Sequence, residues 1–322
     1  VTELKVILSD GNEYTISPLT REQLGQKVKQ KDLEGQVYLQ ISQLISQNQQ
    51  LIEQSKPKVS KNSTGYFIWD VWEDDQFDLI KLFLGSQGTL GIITQIKFKL
   101  VRPNQHQVLL LIKLPDLKQL DSIINKVLEF KPESFECFDD QTYELATKYS
   151  SELIKDFKSS NKLTALFRFL PEKLMAITHS FPKLVMLANF AAPSLPEAMS
   201  LASQAKSGLA GLNLKSAVIA NPAAGEKYWI IRHKSFGLLM AHAQNSQASS
   251  FIDDIIVRPE FLSEFLPKLN QLLDPYRDRM RYTFAGHIGD GNFHIIPLMD
   301  LARPEVREMI PEVMDKVFEL VF

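Results

Sequence analysis

Cysteine is almost absent: Cys137 stands alone in 322 residues. That excludes an internal disulfide framework and a thiolate-held iron–sulfur cluster, so this stretch cannot relay electrons itself, and it fits a reducing compartment. No apolar run reaches the length of a membrane-spanning helix. A cytoplasmic location is expected, with peripheral attachment to the inner face of a membrane as its variant. An excess of either charge is also missing, with 36 basic against 38 acidic residues and a net charge of −2. Nothing there demands a nucleic acid or an anionic surface as partner.

What is present is enough apolar sequence, 44% of the residues, to bury a sizeable core, and a length that suggests two domains. The first residues already alternate as a strand, and Val321-Phe322 lies inside an apolar helical pattern without a stop signal. The expectation is a piece of a longer chain.

Residues 1–18 read as a β-hairpin turning at Asp10-Gly11-Asn12, and residues 34–54 as a Gln-rich helix with apolar residues at 3/4 spacing. A short helix is expected from Asp75 to Leu84, and a strand from Ile92 to Leu100. Arg102-Pro103-Asn104 reads as a domain boundary. Beyond it, strands are expected at 107–114, 163–170 and 183–190, and helices from Asp116 to Leu128, over 195–210 and over 226–243. Phe251–Val257 reads as a strand and Pro259–Leu273 as a helix. This rhythm predicts an α+β, ferredoxin-like sheet with helices on one face.

Two stretches carry chemistry. Gly286-His-Ile-Gly-Asp-Gly-Asn-Phe-His294 sets two histidines, an acid and an amide among three glycines, between two short strand patterns. So many glycines predict a loop, whose turn can bring both imidazoles to one point, as a divalent ion requires. Spacing alone leaves the alternative that the pair ligates nothing. A dinucleotide fingerprint is excluded, because the glycine order is reversed and a strand follows where a helix must open. In Gly85-Ser-Gln-Gly-Thr-Leu-Gly-Ile-Ile-Thr94 the glycines serve either a helix end and turn or a backbone that comes close to a ligand. Arg232 beside Trp229 is either a fork for a carboxylate or an ordinary structural arginine. Asp253 and Asp254, adjacent on an expected strand, point to opposite faces and cannot both face one substrate.

Taken in order, the Gly85 and Gly286 stretches, Trp229-x-x-Arg232 and Asp253-Asp254 resemble the FAD-linked oxidases of the vanillyl-alcohol oxidase, or PCMH-type, superfamily. The likeness is strongest to the branch of D-lactate dehydrogenase, the glycolate oxidase flavin subunit and D-2-hydroxyglutarate dehydrogenase. The resemblance implies that residues 1–102 are the later part of an FAD-binding domain and 103–322 a substrate, or cap, domain. Ser86, Gly88, Thr89, Gly91, Ile92 and Ile93 would line FAD, with Asn62 to Tyr66 nearby and Asn292 near the flavin. His287 and His294 would ligate a divalent metal, Zn²⁺ or similar, and Arg232 would hold the substrate carboxylate. The implied reaction is FAD-dependent oxidation of a D-2-hydroxy acid, lactate- or glycolate-like, to the 2-oxo acid. Electrons would pass on to a quinone, a cytochrome or a partner subunit.

Two positions depart from the family pattern: Gln87 stands where an acid is usual, and Ile252 where dicarboxylate-specific members have Lys, which favours a monocarboxylate over 2-hydroxyglutarate. The family's pyrophosphate loop, third metal ligand (a Glu) and base (a His) are expected outside Val1–Phe322. The competing expectations are a non-catalytic homologue that binds no FAD, and D-2-hydroxyglutarate dehydrogenase or another flavin oxidase of the superfamily.

Overall fold

Leu4 and Val6 alternate with polar neighbours, and in the computed structural model of the protein they are buried on β1 (Glu3–Ile7). Strand β1 turns at Asp10-Gly11 into β2 (Glu13–Ile16), where the Asp10 carboxylate accepts the Asn12 N–H at 3.1 Å. The structure describes residues 1–157, 169–178, 180–242, 247–248 and 251–322, and it divides into two units, Val1–Pro103 and Asn104–Phe322.

In the first unit the Gln-rich segment is two helices, Leu33–Gln47 and Gln49–Ser55, broken at Asn48. The helix expected from Asp75 is reduced to Ile80–Phe83. After β3 (Leu19–Thr20), the chain forms β4 (Trp72–Glu73) and β5 (Gln76–Phe77), joined by a turn at Asp74. Asp74 has φ 51°, and a short Asp side chain tolerates this left-handed turn where a helix does not. Strand β6 (Ile92–Lys97) then pairs with β1. Its Ile93 packs into the core, and its opposite face, with Ile92 and Ile96, is exposed.

The second unit is one antiparallel sheet. Its strands are β7 (His106–Leu114), β8 (Ser134–Asp139), β9 (Leu184–Ala192), β10 (Lys215–Ile219), β11 (Gln247–Ala248), β12 (Ile255–Ile256), β13 (Met280–His287) and β14 (Asn292–Met299). They run in the order β10-β7-β9-β8-β13-β14-β11, with β12 beside β14. The first four make the ferredoxin-like arrangement, but its second strand is β8, not the expected 163–170. Most of that predicted strand lies outside the described residues, and its last residue, Leu170, opens a helix.

Helices cover both faces of the sheet rather than one. Leu110, Ile112 and Phe293 pack with the helices Leu120–Leu128, Leu195–Gly208, Leu262–Leu273 and Pro304–Val321. Leu109, Leu111 and Ala285 pack with Asp140–Lys148 and Pro222–Ala241. The physical reason is in the strands: Val108 to Ile112 and Leu184 to Leu187 are buried without interruption, so both faces need cover.

Asp139, at the end of β8, ties the layers together. Its carboxylate accepts the Thr142 N–H at 2.8 Å, capping the helix Asp140–Lys148, and the Phe284 N–H at 3.1 Å on β13. Burial pushes this carboxyl up to about 7, against the hydrogen bonds, which lower it. Because the folded value lies above the ordinary 3.8, the contribution is full below about pH 4 and is lost as pH rises through about 7. Thermal unfolding of wild type and Asp139→Asn across that range should therefore show the wild type losing ground to the variant as pH rises. A Tm difference that does not change with pH would contradict the assignment.

Candidate functional site

The hairpin of β13 and β14 sets the register of the site. His287 pairs with Asn292, Gly286 with Phe293 and Ala285 with His294. Alternation then puts Ala285, His287, Asn292 and His294 on one face. The two histidines are diagonal neighbours across the strands, with ring centroids 5.6 Å apart and planes at 80°.

Of the stretch expected as a loop, only Ile288–Asp290, one 3₁₀ turn, and Gly291 lie outside the strands. Gly286 sits within β13 because a Cβ there would lie 2.2 Å from the Asn292 carbonyl oxygen; the partner backbone comes too close for a side chain. Gly291 has φ 71°, and its Cβ would lie 1.8 Å from the Val257 carbonyl oxygen. The glycines serve the hairpin.

The residue that organises this face is Glu136 of β8, 9% exposed. Its Oε1 lies 2.6 Å from His287 Nδ1, and its Oε2 accepts from Arg232 Nε and Nη2, each at 3.0 Å. Arg232 comes from the helix Pro222–Ala241. Glu136 is absent from the sequence expectations, which place no strand over residues 134–139. A signal existed: one acid inside the apolar run Phe135-Glu136-Cys137-Phe138 must find a charged or hydrogen-bonding partner once buried.

His294 Nδ1 lies 3.3 Å from Asp253 Oδ1 and 3.8 Å from Asp254 Oδ1. Both acids thus approach one imidazole, which overturns the expectation that they point apart. The strand there is only Ile255–Ile256, and Asp254, with φ 60°, breaks the alternation. Asn292 donates to Asp254 Oδ1 at 2.8 Å and to the Ile255 carbonyl at 3.2 Å. Ile252 is fully buried in the core, so its own side chain does not line the site.

The donor chemistry suits two positions of a divalent ion. Each histidine turns Nδ1 to a carboxylate, which orients the ring with Nε2 facing away, the usual second-shell arrangement of a metal-binding imidazole. Three carboxylates against one guanidinium leave an excess of negative charge, which favours a cation. Among the described residues, however, no group of three His, Cys, Asp or Glu is arranged to hold a metal.

The expected cofactor loop lies in the first unit. Gly85, Gln87 and Gly88 all have left-handed φ, and a Cβ on either glycine would meet nothing within 4 Å. The loop is fixed from inside: Ser86 is buried, and its carbonyl accepts the Thr89 N–H at 3.1 Å and the Thr89 hydroxyl at 2.7 Å. Tyr66 Oη lies 2.8 Å from Thr89 Oγ1. Gly91 packs against Val6 and Ile7 of β1. Thus Gly88, Thr89 and Ile92 present surface, whereas Ser86 and Ile93 turn into the core. Asn62 to Gly65 and Gly85 line a cleft of about 490 Å³. An open cleft beside an open-sided glycine backbone fits an extended cofactor such as FAD. No helix among the described residues is long and apolar enough to cross a membrane.

This chain is similar to D-2-hydroxyglutarate dehydrogenase of Escherichia coli (strain K12), 25% identical over 328 residues, covering 99% of this chain and 31% of that protein. It is also similar to the mitochondrial D-lactate dehydrogenase [cytochrome] of Arabidopsis thaliana, 24% identical over 233 residues, covering 72% of this chain and 36% of that protein. The chain spans about a third of the length of these curated relatives. Among solved structures, its fold is similar to 4-ethylphenol oxidase from Gulosibacter chungangensis in an isoeugenol complex, at TM-score 0.57 and 11% identity, covering 99% of this chain and 55% of that one. p-Cresol methylhydroxylase with substrate bound gives 0.55 at 11% identity, with the same coverages. At such identities these two speak for the fold alone. The family model "FAD linked oxidases, C-terminal domain" matches residues 103–322, and the chain belongs to that family.

Proposed function

We propose that this chain serves an FAD-dependent dehydrogenase that oxidises a D-2-hydroxy acid to the 2-oxo acid. The observation that carries the reading is one guanidinium edge beside two oriented imidazoles. Glu136 occupies the Nε/Nη2 edge of Arg232, which leaves the Nη1/Nη2 edge for a substrate carboxylate in a two-point fork. His287 and His294 are about one-third exposed and have Nδ1 turned to carboxylates, so Nε2 is the ring nitrogen left for the substrate hydroxyl or a metal.

The names of the relatives, D-2-hydroxyglutarate and D-lactate dehydrogenases, support the substrate class without choosing chain length. Oxidation removes two electrons and two protons from the carbinol, and FAD supplies the two-electron acceptor when bound. A divalent ion on His287 and His294 would supply Lewis acidity at the substrate oxygens. Reoxidation falls to an external acceptor: a quinone, a cytochrome or a partner subunit.

Dye reduction by paired D- and L-2-hydroxy acids of increasing length tests the proposal. Turnover is expected with D acids only, and His294→Ala should lower kcat/KM by more than the roughly ten- to hundredfold that loss of an outer-shell partner costs. A protein that holds FAD and is silent toward the whole panel would refute the substrate class, and a folded, colourless protein would favour the non-catalytic reading.

A further inference from the structure

We infer that Glu136 is a positioning residue: one buried carboxylate that fixes both the ring state of His287 and the presented edge of Arg232. The inference rests on the functional reading above and adds the group that couples its two halves.

A carboxylate without a proton only accepts hydrogen bonds. The 2.6 Å contact of Glu136 Oε1 with His287 Nδ1 therefore places the imidazole proton on Nδ1 and leaves Nε2 bare, the form that can accept from a hydroxyl or bind a metal. Glu136 Oε2, 3.0 Å from both Nε and Nη2 of Arg232, fixes the rotation of the guanidinium. Strand and helix hold these partners rigidly, since the side chains of Glu136 and Arg232 are only 11% and 13% exposed. An ion pair that was merely structural would need one of these contacts. Serving both from the two oxygens of one side chain makes the imidazole and the guanidinium respond together.

A glutamine at this position has one acceptor oxygen, so with that oxygen on Arg232 its amide NH2 faces His287 and can bond the ring only at an unprotonated Nδ1, in the Nε2–H tautomer. The primary experiment is long-range ¹H–¹⁵N NMR of the wild-type protein with labelled histidine, at a pH where imidazole is ordinarily neutral; His287→Gln assigns the signal. It needs neither metal nor flavin. The expected result is His287 as the Nδ1–H tautomer. An Nε2–H tautomer or an even mixture overturns the inference, whatever the variants do.

The second readout is Zn²⁺ titration by calorimetry of wild type, Glu136→Gln and Glu136→Asp, with folding checked by circular dichroism. Glu136→Gln is expected to weaken Zn²⁺ binding by about ten- to a hundredfold and Glu136→Asp to recover part of it. Equal Zn²⁺ affinity in wild type and a folded Glu136→Gln would overturn the coupling. If Zn²⁺ binds none of the proteins, or Glu136→Gln does not fold, the wild-type tautomer decides. A silent hydroxy-acid panel with His287 in the Nδ1–H form would sink the functional reading and leave Glu136 in its role. The two failures are thus distinguishable.

Discussion

Arg232→Met is expected to unfold more readily than the wild type by about 3–5 kcal/mol, because it leaves the buried Glu136 with an uncompensated charge. The pair is 13% and 11% exposed, so water replaces the guanidinium poorly. The same change should raise KM for a D-2-hydroxy acid and lower kcat/KM by about ten- to a hundredfold, the worth of a hydrogen bond to a charged group. The double variant Arg232→Met, Glu136→Leu separates the two effects. Replacing both charges with apolar side chains should restore most of the stability, and His287, partly open to solvent, can turn to water. Turnover should stay low, because nothing then holds the carboxylate. Denaturant unfolding and steady-state kinetics on the three proteins check this. Full activity in the double variant would remove Arg232 from substrate binding.

Gly291→Ala is the second large effect. Its left-handed backbone alone costs an L-residue about 1–2 kcal/mol, and the added Cβ would lie 1.8 Å from the Val257 carbonyl oxygen. The hairpin cannot yield freely there, since the Val257 N–H donates to the Gly291 carbonyl at 2.9 Å. Tm should fall by at least about 5 °C, the shift corresponding to a loss of roughly 2 kcal/mol in a domain of this size. Any protein that still folds should have lost the diagonal placement of His287 and His294. An unchanged Tm would mean that the turn is not the constraint described.

Much of this was legible in the sequence, for local reasons. Two strand patterns joined by glycines and an acid are enough to bring His287 and His294 to one face, because hairpin register is set within the stretch itself. The helix expected over 195–210 forms as Leu195–Gly208, where the Ser194 hydroxyl accepts the Glu197 N–H as its cap. What was not legible depends on distant partners. Glu136 meets His287 only because β8 lies beside β13, 151 residues along the chain, and no local pattern encodes that pairing. Asp254 reaches His294 through one left-handed residue, which an alternation rule cannot anticipate. The second helical layer follows from the near-continuous burial of β7 and β9, a pattern that marks a strand covered on both faces rather than one.

The most direct test of the account is anaerobic reduction of the FAD-loaded wild-type protein by matched D- and L-2-hydroxy acids, followed through the loss of the oxidised flavin band. The account predicts bleaching by the D acid, none by the L acid, and strong slowing in Arg232→Met. Bleaching by both enantiomers alike, or none by any D acid while FAD remains bound, would contradict it.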